Sequence, residues 1–271
     1  MPTLKEALKE KLTKKELELV PKSFDTIGNI AIFSDFPKHL KKKEKIIAEA
    51  LIKLNKNIKT VAKKTAKHSG KYRTKKVKII AGIKTKETLH KESGVLLKLN
   101  VETCYFSPRW SNERLRVAKQ VKDNESILIM FSGIAPFPLV IAKNSKPKEI
   151  IGIEINPEAH KYALENVKLN KISNIFLFNG NVRSVLPKLN KKFDRIIMPL
   201  PKTAKNYLNL AFKYIKKSGV IHFYDFCKKD NFPGDSIVKV KNINNKVKVL
   251  KAVKCGEFSP KIYRICLDIK V

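Results

Sequence analysis

From residue 126 to the C-terminus the chain alternates short apolar runs with amphipathic stretches, and this rhythm narrows the possible folds more than any other feature. Ser126–Met130, Glu149–Ile153, Ile175–Phe178, Asp194–Met198 and Val220–Phe226 read as strands. Between them lie helical patterns: an apolar one to about Lys143, then Glu158–Leu169, Val182–Leu189, and Ala204–Lys217 capped by Gly219. Strand–helix alternation of this kind predicts a parallel, doubly wound α/β sheet. Val247–Lys251 and Ile262–Ile269 follow without a helix between them and predict an antiparallel edge. The expected fold class is α/β, Rossmann-like, with a smaller N-terminal α+β domain.

The first 106 residues have a different texture, with short apolar runs between lysine clusters. Leu4–Leu19 has helical spacing, Ile27–Phe33 reads as one strand, and Phe36–Leu54 reads as a helix with Pro37 in its first turn. Lys76–Ile83 and Val95–Val101 read as strands. We therefore expect two domains, residues 1–106 and 107–271.

Lys and Arg total 58 against 24 Asp and Glu, a net charge of +34. A polyanionic partner offsets the self-repulsion this implies. Nucleic acid is the first candidate, an acidic membrane surface the second, and a lysine-rich composition the plain alternative. No apolar run approaches the ~18 residues of a membrane span. The four cysteines, 104, 227, 255 and 266, include no C-x-x-C pair, so no metal site is expected, and a reducing cytoplasm suits them. The charged start at Met1 lacks the apolar core of a secretory leader.

A doubly wound sheet binds its ligand at the carboxyl ends of its strands. The first strand ends in Met130-Phe131-Ser132-Gly133, where Gly133 lets backbone approach a ligand. A single glycine excludes a dinucleotide G-x-G-x-x-G cradle. The second strand ends in Glu154-Ile155-Asn156, with an acidic residue placed for ribose hydroxyls and an asparagine that reaches a base or caps the next helix. Together these turns point to a nucleoside cofactor. The fourth strand ends in Met198-Pro199-Leu200-Pro201, a stiff and extended turn or a plain proline-stiffened loop.

These strings, with Tyr105-Phe-Ser-Pro-Arg-Trp-Ser-Asn-Glu-Arg-Leu-Arg116 and Gly219-Val-Ile-His-Phe-Tyr224, resemble the archaeal and eukaryotic tRNA (guanine(37)-N1)-methyltransferases across essentially the whole chain. The resemblance implies S-adenosylmethionine as cofactor and tRNA as substrate, read at its anticodon stem-loop by a cytoplasmic monomer. It implies Glu113 as the base that takes the guanine N1 proton and Arg73 as the cation facing O6. Tyr105, Arg109 and Arg114 line the tRNA side, and Asn181 stands at the adenine region. The residue-level alternative for Glu113 is an i,i+3 ion pair with Arg116 on an exposed helix. Three positions depart from the family pattern: Ile129 and Asn181 where Asp is usual, and Pro199 where Asn is common. The extra N-terminal tRNA-elbow domain of the family is not recognisable. The related wybutosine-pathway aminocarboxypropyl transferases and a non-catalytic RNA-binding relative are the alternatives.

Overall fold

The computed structural model describes residues 3–66 and 70–271. The chain divides into two compact units, Met1–Glu92 with Leu96–Arg109, and Ser93–Val95 with Trp110–Val271.

In the first unit a capping box at Thr13 starts a short helix, α1 (Lys14–Leu19). The side chains of Thr13 and Glu16 satisfy each other's backbone N–H groups, which fixes the helix start there. The single helix expected over Leu4–Leu19 is therefore two pieces, with only a turn of 3₁₀ helix at Glu6–Leu8 before it. Ile27–Phe33 is likewise no single strand. It is the end of a hairpin of β1 (Asp25–Ile27) and β2 (Ile30–Phe33). Gly28 turns the hairpin at φ +55°, where a Cβ would lie 2.1 Å from Thr88 Oγ1. Phe36–Leu54 begins as 3₁₀ turns at Lys38–Lys43 and continues as α2 (Glu44–Leu54). The chain then returns as β3 (Thr60–Lys64), parallel to β2, and β4 (Val77–Gly82), antiparallel to β3. Phe33, Leu40, Ile47, Leu51 and Val61 form the core between this sheet and α2. A hairpin of β5 (Glu87–Glu92) and β6 (Val95–Asn100) completes the strands. Strands β3 and β5 are absent from the sequence reading, since β3 ends in lysines and β5 is largely polar.

The second unit opens with α3 (Ser111–Ala118). Its sheet is built from β7 (Ser126–Met130), β8 (Glu149–Glu154), β9 (Ile175–Asn179), β10 (Phe193–Met198), β11 (Ile215–Lys228), β12 (Lys248–Ser259) and β13 (Ile262–Lys270), in the order β12-β13-β11-β10-β7-β8-β9. The five strands from β11 to β9 in that order are parallel, and β13 and β12 add the expected antiparallel edge. All five residues of β7 are buried, as a central parallel strand with both faces covered requires. The connecting helices are α4 (Pro136–Asn144), α5 (Pro157–Leu169), α6 (Val182–Leu189), α7 (Leu208–Tyr214) and α8 (Gly234–Lys241).

Two expectations fail here. The helix expected to run to Lys217 and a Gly219 cap ends at Tyr214, and β11 begins at once. Gly219 lies inside that strand, where a Cβ would press on Ile215 and on the Asp194 carbonyl at 3.0 Å. Helix α8 and the extension of β12 to Ser259 are the other additions. The chain moves from β7 through β8 to β9 on one side, then returns to β10 and β11 on the other. The switch point lies between β7 and β10, and in doubly wound sheets ligands bind at the carboxyl ends of the strands there.

Candidate active site

At the end of β7 the backbone turns sharply. Phe131 and Ala135 take φ of +66° and +67°, and Gly133 takes +58°. A left-handed backbone costs a non-glycine residue about 1–3 kcal/mol, and such strain gathers at ligand turns. The turn is held from β8. The Glu154 carboxylate accepts the Gly133 N–H through Oε2 at 2.7 Å and the Asn156 N–H through Oε1 at 2.8 Å. Burial raises the Glu154 carboxyl above its ordinary value, against these backbone donors. Ser132 Oγ is buried with no hydrogen-bond partner among the described residues. An unsatisfied buried hydroxyl costs about 1–3 kcal/mol, which a polar ligand group would recover. Behind it, a Cβ on Gly152 would come within 3.1 Å of the Ser132 side chain.

With this turn stand the ends of β8, β9 and β10. Asn156 Oδ1 accepts from Glu158 N–H at 3.1 Å and so caps α5, with Pro157 and Glu158 beginning the helix. Asn181 caps α6 in the same way through Arg183 N–H at 2.9 Å. The Pro199 turn is tighter than the extended form expected, because Leu200 N–H reaches back to the Met198 carbonyl at 2.8 Å. Tyr207, just beyond it, packs edge-on against Phe131 with centroids 4.9 Å apart, and the Arg183 guanidinium lies 4.9 Å from the Tyr207 ring centroid. The second unit thus brings Met130, Phe131, Ser132, Gly133, Glu154, Ile155, Asn156, Asn181, Pro199, Leu200 and Pro201 to the carboxyl ends of four neighbouring parallel strands. A nucleoside with a charged tail fits this donor set. Glu154 offers lone pairs to hydroxyls, Ser132 an unused hydroxyl, and the glycine-backed turn close backbone approach.

A second cluster lies on α3. Glu113 is 7% exposed, so the helix does not carry it on an open face. The ion pair with Arg116 exists nonetheless, with Nε on Oε2 at 2.7 Å and one terminal nitrogen on Oε1 at 2.8 Å. Tyr224 of β11 donates its hydroxyl to Glu113 Oε1 at 2.6 Å. Burial pushes the Tyr224 phenol well up, which keeps it a donor. Arg114 is 3% exposed.

Arg73, Tyr105 and Arg109 belong to the first unit. The Arg73 guanidinium lies 5.3 Å from the Tyr105 ring centroid, and Arg73 itself has φ +53°. Arg109 donates to Asp25 Oδ1 of β1 at 2.8 Å. Asp25, Tyr224 and Asp268 escaped the sequence reading as partners because they sit on strands far away in sequence, and no spacing rule reaches across a sheet.

The chain matches the TRM5/TYW2 methyltransferase domain over residues 88–252 and the TYW2 N-terminal domain over residues 4–85. It is 40% identical over 256 residues to the tRNA (guanine(37)-N(1))-methyltransferase Trm5b of Pyrococcus abyssi, covering 93% of this chain and 76% of that protein. Among solved structures it superposes on the complex of aTrm5 and tRNALeu with a TM-score of 0.87 at 30% identity, covering 100% of this chain and 78% of the other. It also superposes on M. jannaschii TYW2 in complex with AdoMet, with a TM-score of 0.70 at 28% identity over 92% and 98% of the two chains. The strained turn, the acidic second strand end and these matches agree, and the chain belongs to the TRM5/TYW2 methyltransferase family.

Proposed function

We propose that the protein transfers the methyl group of S-adenosylmethionine to N1 of guanosine 37 in tRNA. The observation that carries the reading is the buried Glu113 carboxylate, oriented by Arg116 and Tyr224, in the same unit as the strained Phe131–Ala135 turn held by Glu154. The likeness to a Trm5b at 40% identity supports the reaction, and a relative in complex with tRNA supports the partner.

The cofactor, when bound, supplies an electrophilic methyl on a sulfonium. Phe131, Ser132, Gly133, Glu154, Ile155, Asn156 and Asn181 would hold it, with Pro199–Pro201 over the reacting end. Guanine N1 carries a proton at neutral pH, so its attack on the methyl requires that proton to leave. Glu113 takes it, and Arg73 offsets the charge that develops on O6. Arg116 and Tyr224 orient the Glu113 carboxylate through three hydrogen bonds, two on Oε1 and one on Oε2, and the Cys255 thiol also faces it. We assign residues 1–106 to tRNA binding and 107–271 to cofactor binding and transfer, with Tyr105, Arg109 and Arg114 on the tRNA side. Recognition rests on the anticodon stem-loop, and the protein acts as a cytoplasmic monomer. No helix among the described residues is long and apolar enough to cross a membrane.

A second reading, transfer of the aminocarboxypropyl arm, is favoured by one observation, the match of residues 4–85 to the TYW2 N-terminal domain. The two arms leave different labels on tRNA. Incubation with cofactor labelled in the methyl or in the carboxyl group, followed by mass spectrometry of the nucleosides, should give methyl label only, in 1-methylguanosine. Carboxyl label alone would establish the second reading, and no label would point to a non-catalytic RNA-binding relative.

A further inference from the structure

Behind Glu113 a line of buried and half-buried ionisable side chains crosses the sheet. Arg116 binds Glu113 with one edge of its guanidinium and the Asp268 carboxylate of β13 at 2.6 and 3.1 Å. Asp268 Oδ1 meets His222 Nδ1 of β11 at 2.7 Å. His222 Nε2 meets an Arg195 terminal nitrogen of β10 at 2.7 Å. Arg195 is forked onto Glu125, before β7, at 2.7 and 3.0 Å and also donates to the Gln120 carbonyl. Gln120 closes the loop by donating to Asp268 at 3.1 Å. His222, Asp268 and Arg195 are 0, 1 and 3% exposed.

The tautomer follows from chemistry. A guanidinium only donates, so His222 Nε2 accepts from Arg195 and Nδ1–H donates to Asp268. Burial holds the imidazole below its ordinary value and therefore neutral. Burial also opposes the Asp268 charge, but His222 and Arg116 hold that carboxyl well below the usual range. A ring nitrogen of His222, Cys266 Sγ and an oxygen of Asp268 lie within 4.8 Å of one another, which resembles a metal site. Two guanidinium groups already occupy the imidazole and the carboxylate, and they would repel a cation.

We propose that the chain Arg116–Asp268–His222–Arg195–Glu125 positions Glu113 for proton abstraction. The inference rests on the reading of Glu113 as the base. A glutamate has three rotatable torsions, and misplacement by about 1 Å costs about a hundredfold in rate. Arg116 fixes the plane of the Glu113 carboxylate, but Arg116 is itself a long side chain. Its far edge is clamped by Asp268, Asp268 by His222, and His222 by Arg195, whose fork on Glu125 anchors the line at the neighbouring strand. The charges alternate in sign and leave one net negative charge. A proton arriving at Glu113 neutralises the line, which suits a buried network.

The test compares single-turnover methyl transfer to a tRNA transcript by the full chain and its Asp268→Asn and Arg116→Lys variants, across the neutral pH range, with S-adenosylmethionine binding measured by calorimetry. The groups facing Glu113 are Arg116 on its own helix, Tyr224 on β11, Cys255 on β12 and Cys266 on β13, with Arg264 beside Cys255. Asp268→Asn should slow transfer by about a hundredfold, move the pH profile and leave cofactor binding unchanged. Arg116→Lys should also slow transfer, because an ammonium offers no fork to two carboxylates. It decides the matter if Asp268→Asn fails to fold. Wild-type rates with an unmoved profile overturn the proposal, and so does slowing matched by an equal loss of cofactor binding. If the wild-type protein forms no product, the functional reading fails instead. The line itself is then tested by ¹⁵N shifts of His222: an Nδ1–H tautomer supports it, and an Nε2–H tautomer or an imidazolium overturns it.

Discussion

At the scale of single residues, Glu113 shows how one side chain satisfies two readings. Spacing alone offers an i,i+3 pair with Arg116, and that pair is present. It does not exclude a base, because the Glu113 carboxylate is buried and Arg116 makes only one contact with each of its oxygens. Glu113→Gln tests this directly. The amide keeps the volume, so cofactor and tRNA affinities should stay near wild type. Its NH2 would face Arg116 as a donor facing a donor, and it accepts no proton. Methyl transfer should fall by about 10²–10⁴ in single-turnover assays. Turnover at the wild-type rate would remove Glu113 from the mechanism. The partners of Glu113 were legible in the sequence only in part. Arg116 lies within one helical turn and was visible, but Tyr224 and Asp268 become neighbours only through strand order.

At the scale of elements, legibility tracked burial. β7 to β10 are short, apolar and flanked by turn residues, so their periodicity marks them, and the ligand turns after β7 and β8 follow from the strand ends. The first unit resisted because its elements are short and polar. The β1–β2 hairpin hides in one apolar run and is broken only by Gly28 at positive φ. The Gly152 contact also belongs to this scale. Gly152 lies mid-strand in β8, where a Cβ would come within 2.7 Å of Leu177 Cδ2 and 3.1 Å of Ser132 Oγ. Overpacking of a core costs about 1–3 kcal/mol. Part of that cost falls on the strained Phe131–Ala135 turn. Gly152→Ala should therefore weaken S-adenosylmethionine binding by about tenfold, equal to about 1.4 kcal/mol, with a smaller effect on tRNA binding. Calorimetric titration of both ligands checks it, and equal losses for the two would place the damage in the fold rather than in the turn.

At the scale of the whole molecule, the charge of +34 becomes a statement about partner and pH. Phosphate contacts release counterions, so tRNA affinity should fall steeply with salt, and Lys→Ala changes within residues 41–75 should flatten that slope by about one unit each. Of these positions, 67–69 lie outside the described residues. Lys75 adds a proton to the account. It is 7% exposed, and burial, with Lys64 nearby, lowers its ammonium to about 8 against the pull of Asp25. The folded pKa lies below the unfolded value of about 10.4, so folding favours the neutral amine between the two. The fold therefore loses stability as pH falls from the unfolded value towards the folded one. A polyanion acts in the opposite sense. Phosphates near the first unit favour the ammonium and raise its pKa, so binding takes up a proton and tightens as pH falls through about 8. tRNA dissociation constants measured by filter binding on either side of that pH, at fixed salt, should show the loss on the alkaline side. Lys75→Arg keeps the charge at every pH, so it should abolish most of the dependence. A dependence unchanged in Lys75→Arg would assign the proton to another group and leave the excess charge of the chain acting through counterion release alone.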